Sequence, residues 1–242
     1  MTRKIEICAG SALSVRNAVR GGAFRVELCS GMSDGGTTPS YGEIKAALRE
    51  AGGRIKVNVI IRPRGGDFLY SSEEADIMVD DIRMCGELGV DGVVFGCLDA
   101  RGAVDKTVMR RLMDAAGDLS VTFHRAFDMC SNPMQALEDI IFLGCDRILT
   151  SGCAPTAPGG VELIARLVEK AGERISIMAG SGVNPDNIEA LIRATGVNEL
   201  HLSARRPAES GMLFHGPKLD MGLHMISDAE IVRRAVDAAA II

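Results

Sequence analysis

Gly89-Val90-Asp91-Gly92-Val93 is one of four copies of a single phrase in this chain. The others are Gly22-Ala23-Phe24-Arg25-Val26, Gly144-Cys145-Asp146-Arg147-Ile148 and Gly196-Val197-Asn198-Glu199-Leu200. Each sets a glycine, a small or apolar residue and usually Asp or Asn in front of an apolar run. The glycine suits a helix end in the left-handed conformation, and so short a loop feeds directly into a strand. A helix end joined to a strand start, repeated along the chain, argues for repeated βα units. Apolar runs mark eight strands, near residues 4–8, 25–29, 55–61, 92–95, 120–124, 147–150, 175–179 and 199–203. Helical patterns follow near 11–20, 41–51, 72–88, 106–115, 133–143, 160–171, 185–194 and 228–239. Several open on good start signals: Ser72 before Glu73-Glu74, Asn132 before Pro133, Asn184 before Pro185 and Ser227 before Asp228.

Eight such units predict an α/β fold, a TIM (β/α)8 barrel, whose chemistry belongs at the C-terminal ends of the strands. No Pro/Gly/Ser-rich linker interrupts the pattern, so residues 1–242 read as one domain. The longest irregular stretch is 204–225, after the eighth strand, and a loop of that length in a compact domain usually serves function or moves.

Composition narrows the function classes. Hydrophobic residues are 47% and charged residues 24% of the chain, as in soluble globular proteins. The net charge is −5, with both signs interleaved and no basic stripe. Aromatics are 4%, with no Trp. Nucleic acid is therefore not an expected partner, since neither phosphate-binding stripe nor stacking platform is present. No apolar run is long enough to span a bilayer, and the N-terminus moves straight into a strand pattern without a signal-peptide core. A cytoplasmic location is the expectation. The seven cysteines are odd in number and form no C-x-x-C pair, so no disulfide framework is implied.

Strand parity then points polar groups inward. Successive side chains alternate between the helix layer and the barrel axis. With Ile5 and Ile7 outward, Glu6 and Cys8 face in. The same rule puts Glu27 and Cys29, Asn58 and Arg62, Thr122 and His124, and Glu199, His201 and Ser203 inside. Glu6 lies deep in its strand and reads equally well as half of a structural ion pair. Glu27, Arg62, His124 and His201 lie nearer the mouth, where buried ionisable groups mark working sites.

The mouth carries further signals. In Val57–Tyr70, VNVIIRPRGGDFLY, a buried strand breaks at Arg62-Pro63-Arg64-Gly65-Gly66-Asp67. Pro63 cannot donate to a ladder and Gly65-Gly66 permits a tight turn, so two guanidiniums and a carboxylate are delivered on a constrained loop. His124-Arg125-Ala126-Phe127-Asp128 places a base, a cation and a carboxylate at the end of the fifth strand. Gly180-Ser181-Gly182, with Ser203 and Arg205 after the next strand, occupies the position where barrels commonly hold a phosphate. A plain βα turn and surface ion pairs would account for the same residues.

Cys8 and Cys29 end neighbouring strands with the same parity, and strands about 5 Å apart bring two thiols within reach of one soft ion. Soft sulfur favours Cu(I), although two thiols without a C-x-x-C spacing, taken alone, fit a core better than a metal site. Seven segments settle the resemblance: Glu6-Ile7-Cys8, Arg25-Val26-Glu27-Leu28-Cys29, Gly35-Gly36-Thr37-Thr38-Pro39-Ser40, Ile61-Arg62-Pro63-Arg64-Gly65-Gly66-Asp67-Phe68, Val121-Thr122-Phe123-His124-Arg125-Ala126-Phe127-Asp128, Leu149-Thr150-Ser151-Gly152 and Met178-Ala179-Gly180-Ser181-Gly182-Val183. Through them the chain resembles the CutC family of copper homeostasis proteins over essentially its full length. The resemblance implies a cytoplasmic TIM barrel that self-associates as a homo-oligomer, with copper, as Cu(I), held by Cys8 and Cys29.

Two functions follow as expectations. One is copper binding through the paired cysteines. The other is an enzyme acting on a small anionic or phosphorylated metabolite, with Glu27, Arg62, His124, Arg125, Asp128 and His201 as its catalytic pocket and Gly180, Ser181, Gly182, Ser203 and Arg205 as its anion cradle. Nothing selects among isomerisation, aldol-type cleavage and hydrolysis, and no Lys stands at a strand end for a Schiff base. A barrel serving only as a scaffold would leave the charged interior without a role.

Overall fold

The computed structural model describes residues 3–214 and 222–240; the remainder of the long stretch after the eighth strand, residues 215–221, lies outside them. Eight parallel strands close into a barrel: β1 (Lys4–Ala9), β2 (Arg25–Leu28), β3 (Lys56–Ile60), β4 (Gly92–Phe95), β5 (Ser120–Phe123), β6 (Arg147–Thr150), β7 (Ser176–Gly180) and β8 (Glu199–Leu202), with β8 pairing back onto β1. Around them run α1 (Ala12–Arg20), α2 (Tyr41–Ala51), α3 (Ser72–Leu88), α4 (Lys106–Ala116), α5 (Pro133–Leu143), α6 (Val161–Ala171), α7 (Ile188–Thr195) and α8 (Ala229–Ala240). This is the expected TIM barrel.

The repeated phrase works as its residues suggest. Gly22, Gly89, Gly144 and Gly196 all have φ between 74° and 86°, a region in which a side chain would be strained. The Asp has its own task. The carboxylates of Asp91 and Asp146 accept the Val57 and Val121 backbone N–H groups at 2.8 and 2.7 Å, tying each new strand to the start of the one before.

Some boundaries differ from the expected ones. Ser71, not Ser72, caps α3, in a reciprocal capping box with Glu74. The seventh helix starts at Ile188, because Asn184 and Asn187 close a turn on each other first. Ser227 is buried and its amide donates to Ser14 Oγ, so Asp228 takes over as cap by accepting from Glu230 and Ile231. The stretch read as irregular contains two short antiparallel strands, β9 (Arg205–Pro207) and β10 (Met225–Ser227).

Apolar outward faces of the strands pack against the helices as one core. Inside the barrel the lower level is ionic. Arg25, 2% exposed, is bonded to Glu6 and to Glu199 (2.5 Å). Arg147 reaches Glu199 at 3.2 Å and donates to Ser120 and Thr122. Burial works against each charge, and the neighbouring cations override it: Glu6 is held down at about 2 and Glu199 is also lowered. Removing one member of such a network strands its partners in a low-dielectric interior. Arg25→Met is therefore expected to lose roughly 3–5 kcal/mol in denaturant unfolding, with part recovered by adding Glu6→Gln and Glu199→Gln. Wild-type stability in Arg25→Met alone would show that the network bears little of the fold.

Candidate functional site

Above the ionic level, β1 and β2 deliver their thiols to one point. Cys8 Sγ and Cys29 Sγ lie 3.3 Å apart, both as free thiols. A third sulfur joins them: Met32 Sδ is 3.1 Å from Cys29 Sγ and 3.8 Å from Cys8 Sγ. Met32 opens a 3-10 turn, Met32–Asp34. The loop around it folds back through paired backbone bonds between Ser30 and Thr37, and Gly36 (φ 91°) lets it lie against Ile60 and Cys29. Glu27 supplies an oxygen, so that ligand atoms of Cys8, Glu27 and Cys29 lie within 4.8 Å of one another. Strand parity brought the two cysteines and Glu27 together. Met32 was missed, although its Cys-x-x-Met spacing from Cys29 was a readable signal.

His201 joins the thiols to the ionic level. Its Nδ1 is 2.7 Å from Glu6 Oε1 and its Nε2 is 3.6 Å from Glu27 Oε2. Burial opposes the imidazolium, but hydrogen bonds to Cys8 and Glu6 and the charge of Glu27 outweigh it and hold His201 well above the usual range. Glu27 is raised as well, which for a carboxyl favours the neutral form. Burial pushes it up to about 7 against the pull of His201, with Glu6 adding repulsion. The Cys8 thiol is raised by its hydrogen bond to Cys29 and by burial.

A cavity of about 100 Å³ opens beside this cluster. Ile60, Phe68 and Leu149 form its apolar wall, and Glu27, Arg62, His124, Arg125 and His201 its polar one, with Cys8 and Gly35 at the edge. Five of the six residues expected in a catalytic pocket thus meet here. Asp128 lies beneath them. It accepts from Arg125 Nε, Thr150 Oγ1, Ser151 and the Cys153 amide, and so organises the loop after β6.

Arg62 ties two loops together. Its Nη1 donates to the Asp34 and Gly36 carbonyls at 2.7 and 2.8 Å and its Nη2 to the Gly66 carbonyl at 2.8 Å. Arg64 and Asp67 serve the loop itself, with Arg64 bonded to Glu74 at the start of α3 and to Asp67. The Ala126 N–H donates to His124 Nδ1 at 3.3 Å, which places the proton of the neutral ring on Nε2. Burial and the Arg62 charge hold His124 down at about 3.

The residues of the expected anion cradle do not line this cavity. Ser181 (φ 74°) donates its hydroxyl to the Pro155 carbonyl, and a Cβ on Gly182 would touch Thr156. Ser203 directly follows β8, and Arg205 is exposed on β9. Only Gly180 approaches the site, against Leu149 and His201. Of the other cysteines, Cys85, Cys97 and Cys145 are buried, Cys130 is half-buried and Cys153 is exposed.

The pattern of the CutC family matches residues 3–206. The chain belongs to the CutC family. A CutC family protein of Parabacteroides distasonis is 54% identical over 227 residues, covering 94% of this chain and 93% of the relative. A human copper homeostasis protein cutC homolog is 48% identical over 218 residues, 90% of this chain and 79% of the relative. The crystal structure of a CutC protein from Streptococcus agalactiae superposes with a TM-score of 0.80 at 36% identity, covering 83% of this chain and 98% of that one. No helix among the described residues is long and apolar enough to cross a membrane.

The electrostatics of His124 have a consequence for stability. Its folded value near 3 lies below the unfolded value of 6.5. Between these the unfolded chain binds the extra proton, so stability is intact above pH 6.5 and falls as pH drops toward 3. The slope approaches about 1.4 kcal/mol per pH unit. His124→Asn, whose amide oxygen can still accept from Ala126, is expected to remove that component. Urea unfolding of both proteins between these pH values measures it, and parallel curves would refute it.

Proposed function

We propose that this CutC protein binds Cu(I) through Cys8 and Cys29, with Met32 as a third sulfur ligand. The observation that carries the reading is the meeting of three sulfur atoms, each within 3.8 Å of the other two, at the ends of two adjacent strands. Two thiols and a thioether form a soft donor set suited to Cu(I). The site is partly buried, which shields a bound ion from solvent, while the adjoining cavity gives a route to it. Glu27 and His201 stand beside the sulfurs and adjust their charge as protons leave on metal binding. A copper handler needs no further chemistry at this point: it captures the ion, keeps it reduced among soft ligands and releases it to a competing site.

The test is competition for Cu(I) against a chelator under anaerobic, reducing conditions, followed by native mass spectrometry. One copper per chain is expected, lost in Cys8→Ser/Cys29→Ser. Met32→Leu keeps the apolar bulk and is expected to weaken binding on the order of tenfold, or about 1.4 kcal/mol. Copper retained by the double serine variant would remove the site.

We further propose that the chain is cytoplasmic and self-associates, as the family resemblance implies. Met212, Leu213, Phe214 and Leu223 are large apolar side chains, 66–95% exposed, that a contact between copies would cover. Light scattering is expected to show an oligomer that Leu213→Ser/Phe214→Ser weakens. An unchanged mass in that variant would place the contact elsewhere.

A further inference from the structure

The copper reading leaves one wall of the cavity without a role. His124 and Arg62 are 3% and 4% exposed; among the described residues His124 Nε2 has no hydrogen-bond partner, while the Arg62 side chain has the buried Tyr70 hydroxyl within reach. Buried donors are nearly always satisfied, and an unmade bond at such a group is destabilising. The two face a common neighbour: the Phe68 ring is centred 4.9 Å from the His124 ring and 5.0 Å from the Arg62 guanidinium carbon. Room for the imidazole is built into the backbone, since a Cβ at Gly96 would lie 2.9 Å from His124 Nδ1. The His124 donor cannot turn away to find an acceptor. His124 is fixed by the Ala126 amide and Arg62 by three loop carbonyls.

The charges around the cavity are unequal. Among the described residues Arg62 has no carboxylate against it, its guanidinium being held by backbone carbonyls, whereas Arg125 is paired with Asp128 and His201 lies between Glu6 and Glu27. Arg125 engages Asp128 through Nε and Ser151 through Nη2 and presents the rest of its guanidinium at the mouth. A ligand that completes this site brings acceptor oxygens and a negative charge. The apolar lining, Ile60, Phe68 and Leu149, asks for an apolar body. The volume suits only a few heavy atoms, and a multiply charged phosphate ester would leave that apolar wall unmatched.

We propose that the cavity is a binding site for a small organic carboxylate, such as a short hydroxy or keto acid, one oxygen of which accepts from His124 Nε2–H beside the Arg62 guanidinium. The site is distinct from the sulfur cluster, which uses neither residue, and it stands whether or not copper binds. Cys8 and Glu27 border both, so an occupied cavity also covers the thiols on that side.

The test uses lactate, pyruvate, acetate and inorganic phosphate as probes, each titrated at millimolar concentration into the full-length, reduced, copper-free protein. Imidazole nitrogens are followed by 15N NMR. Lactate or pyruvate is expected to shift the His124 Nε2 resonance saturably while Nδ1 keeps the signature of an acceptor. His124→Asn preserves the Ala126 bond but has no donor at the Nε2 position, and is expected to lose affinity tenfold or more. His124→Gln carries an amide N–H nearer that position and is expected to recover part of it. Both variants should bind Cu(I) as the wild type does, so failure of this site and failure of the copper site are separately visible. Phosphate saturating the same resonance while the carboxylates leave it unmoved would overturn the assignment of ligand class. No shift with any probe would mean that water alone satisfies this donor and would overturn the site.

Discussion

Arg25 sits inside the barrel between the carboxylates of Glu6 and Glu199, and the groups at the mouth inherit their positions from that contact. One oxygen of Glu6 is taken by Arg25. The other holds His201 by Nδ1. With that nitrogen fixed, the far edge of the imidazole faces Glu27 and Cys8. Guanidinium, carboxylate and imidazole therefore follow one another upward from the ionic level, with the raised Glu27 carboxyl between them and the thiols. In a low-dielectric interior such an arrangement is stable only when every member is present. The barrel supplies the geometry, because the register of β1 sets Glu6 beside Arg25 on one flank and beside His201 on the other.

Arg62 plays a comparable part at the rim. Its two terminal nitrogens bind carbonyls from the loop that carries Met32 and from the loop that leads to Phe68. The third sulfur and the aromatic wall of the cavity are thus held by one guanidinium. This explains the constraint in Arg62-Pro63-Arg64-Gly65-Gly66-Asp67 differently from a simple display of charge. Arg62 is buried and tied down, while Arg64 and Asp67 secure the entry to α3. The mouth accordingly has a sulfur side, suited to a soft cation, and a nitrogen side, suited to an oxyanion.

Much of this arrangement is legible in the sequence. The glycine-led phrase counted the units, and alternation along the strands placed Glu6, Cys8, Glu27, Cys29, Arg62, His124 and His201 inside. Asp128 illustrates a different limit. Its place beside His124 and Arg125 suggested chemistry, but folding surrounds it with donors from the next loop, an arrangement that no local pattern encodes. Arg205 illustrates another: the residues after β8 form a short antiparallel pair, whose partner strand lies about twenty residues away.

The sequence by itself determined the barrel, its eight repeats and the identity of most inward polar groups, because periodicity and glycine placement are local properties. Tertiary structure decided how those groups combine. Arg25 and Arg147 read as polar residues at strand entrances, and only closure of β8 onto β1 encloses them among carboxylates. Met32 reads as one apolar residue in a turn, and only the folding back of its loop over Cys29 makes it a third sulfur. The unsatisfied Nε2 of His124 is likewise invisible in a sequence, since a missing partner exists only once the neighbours have been placed.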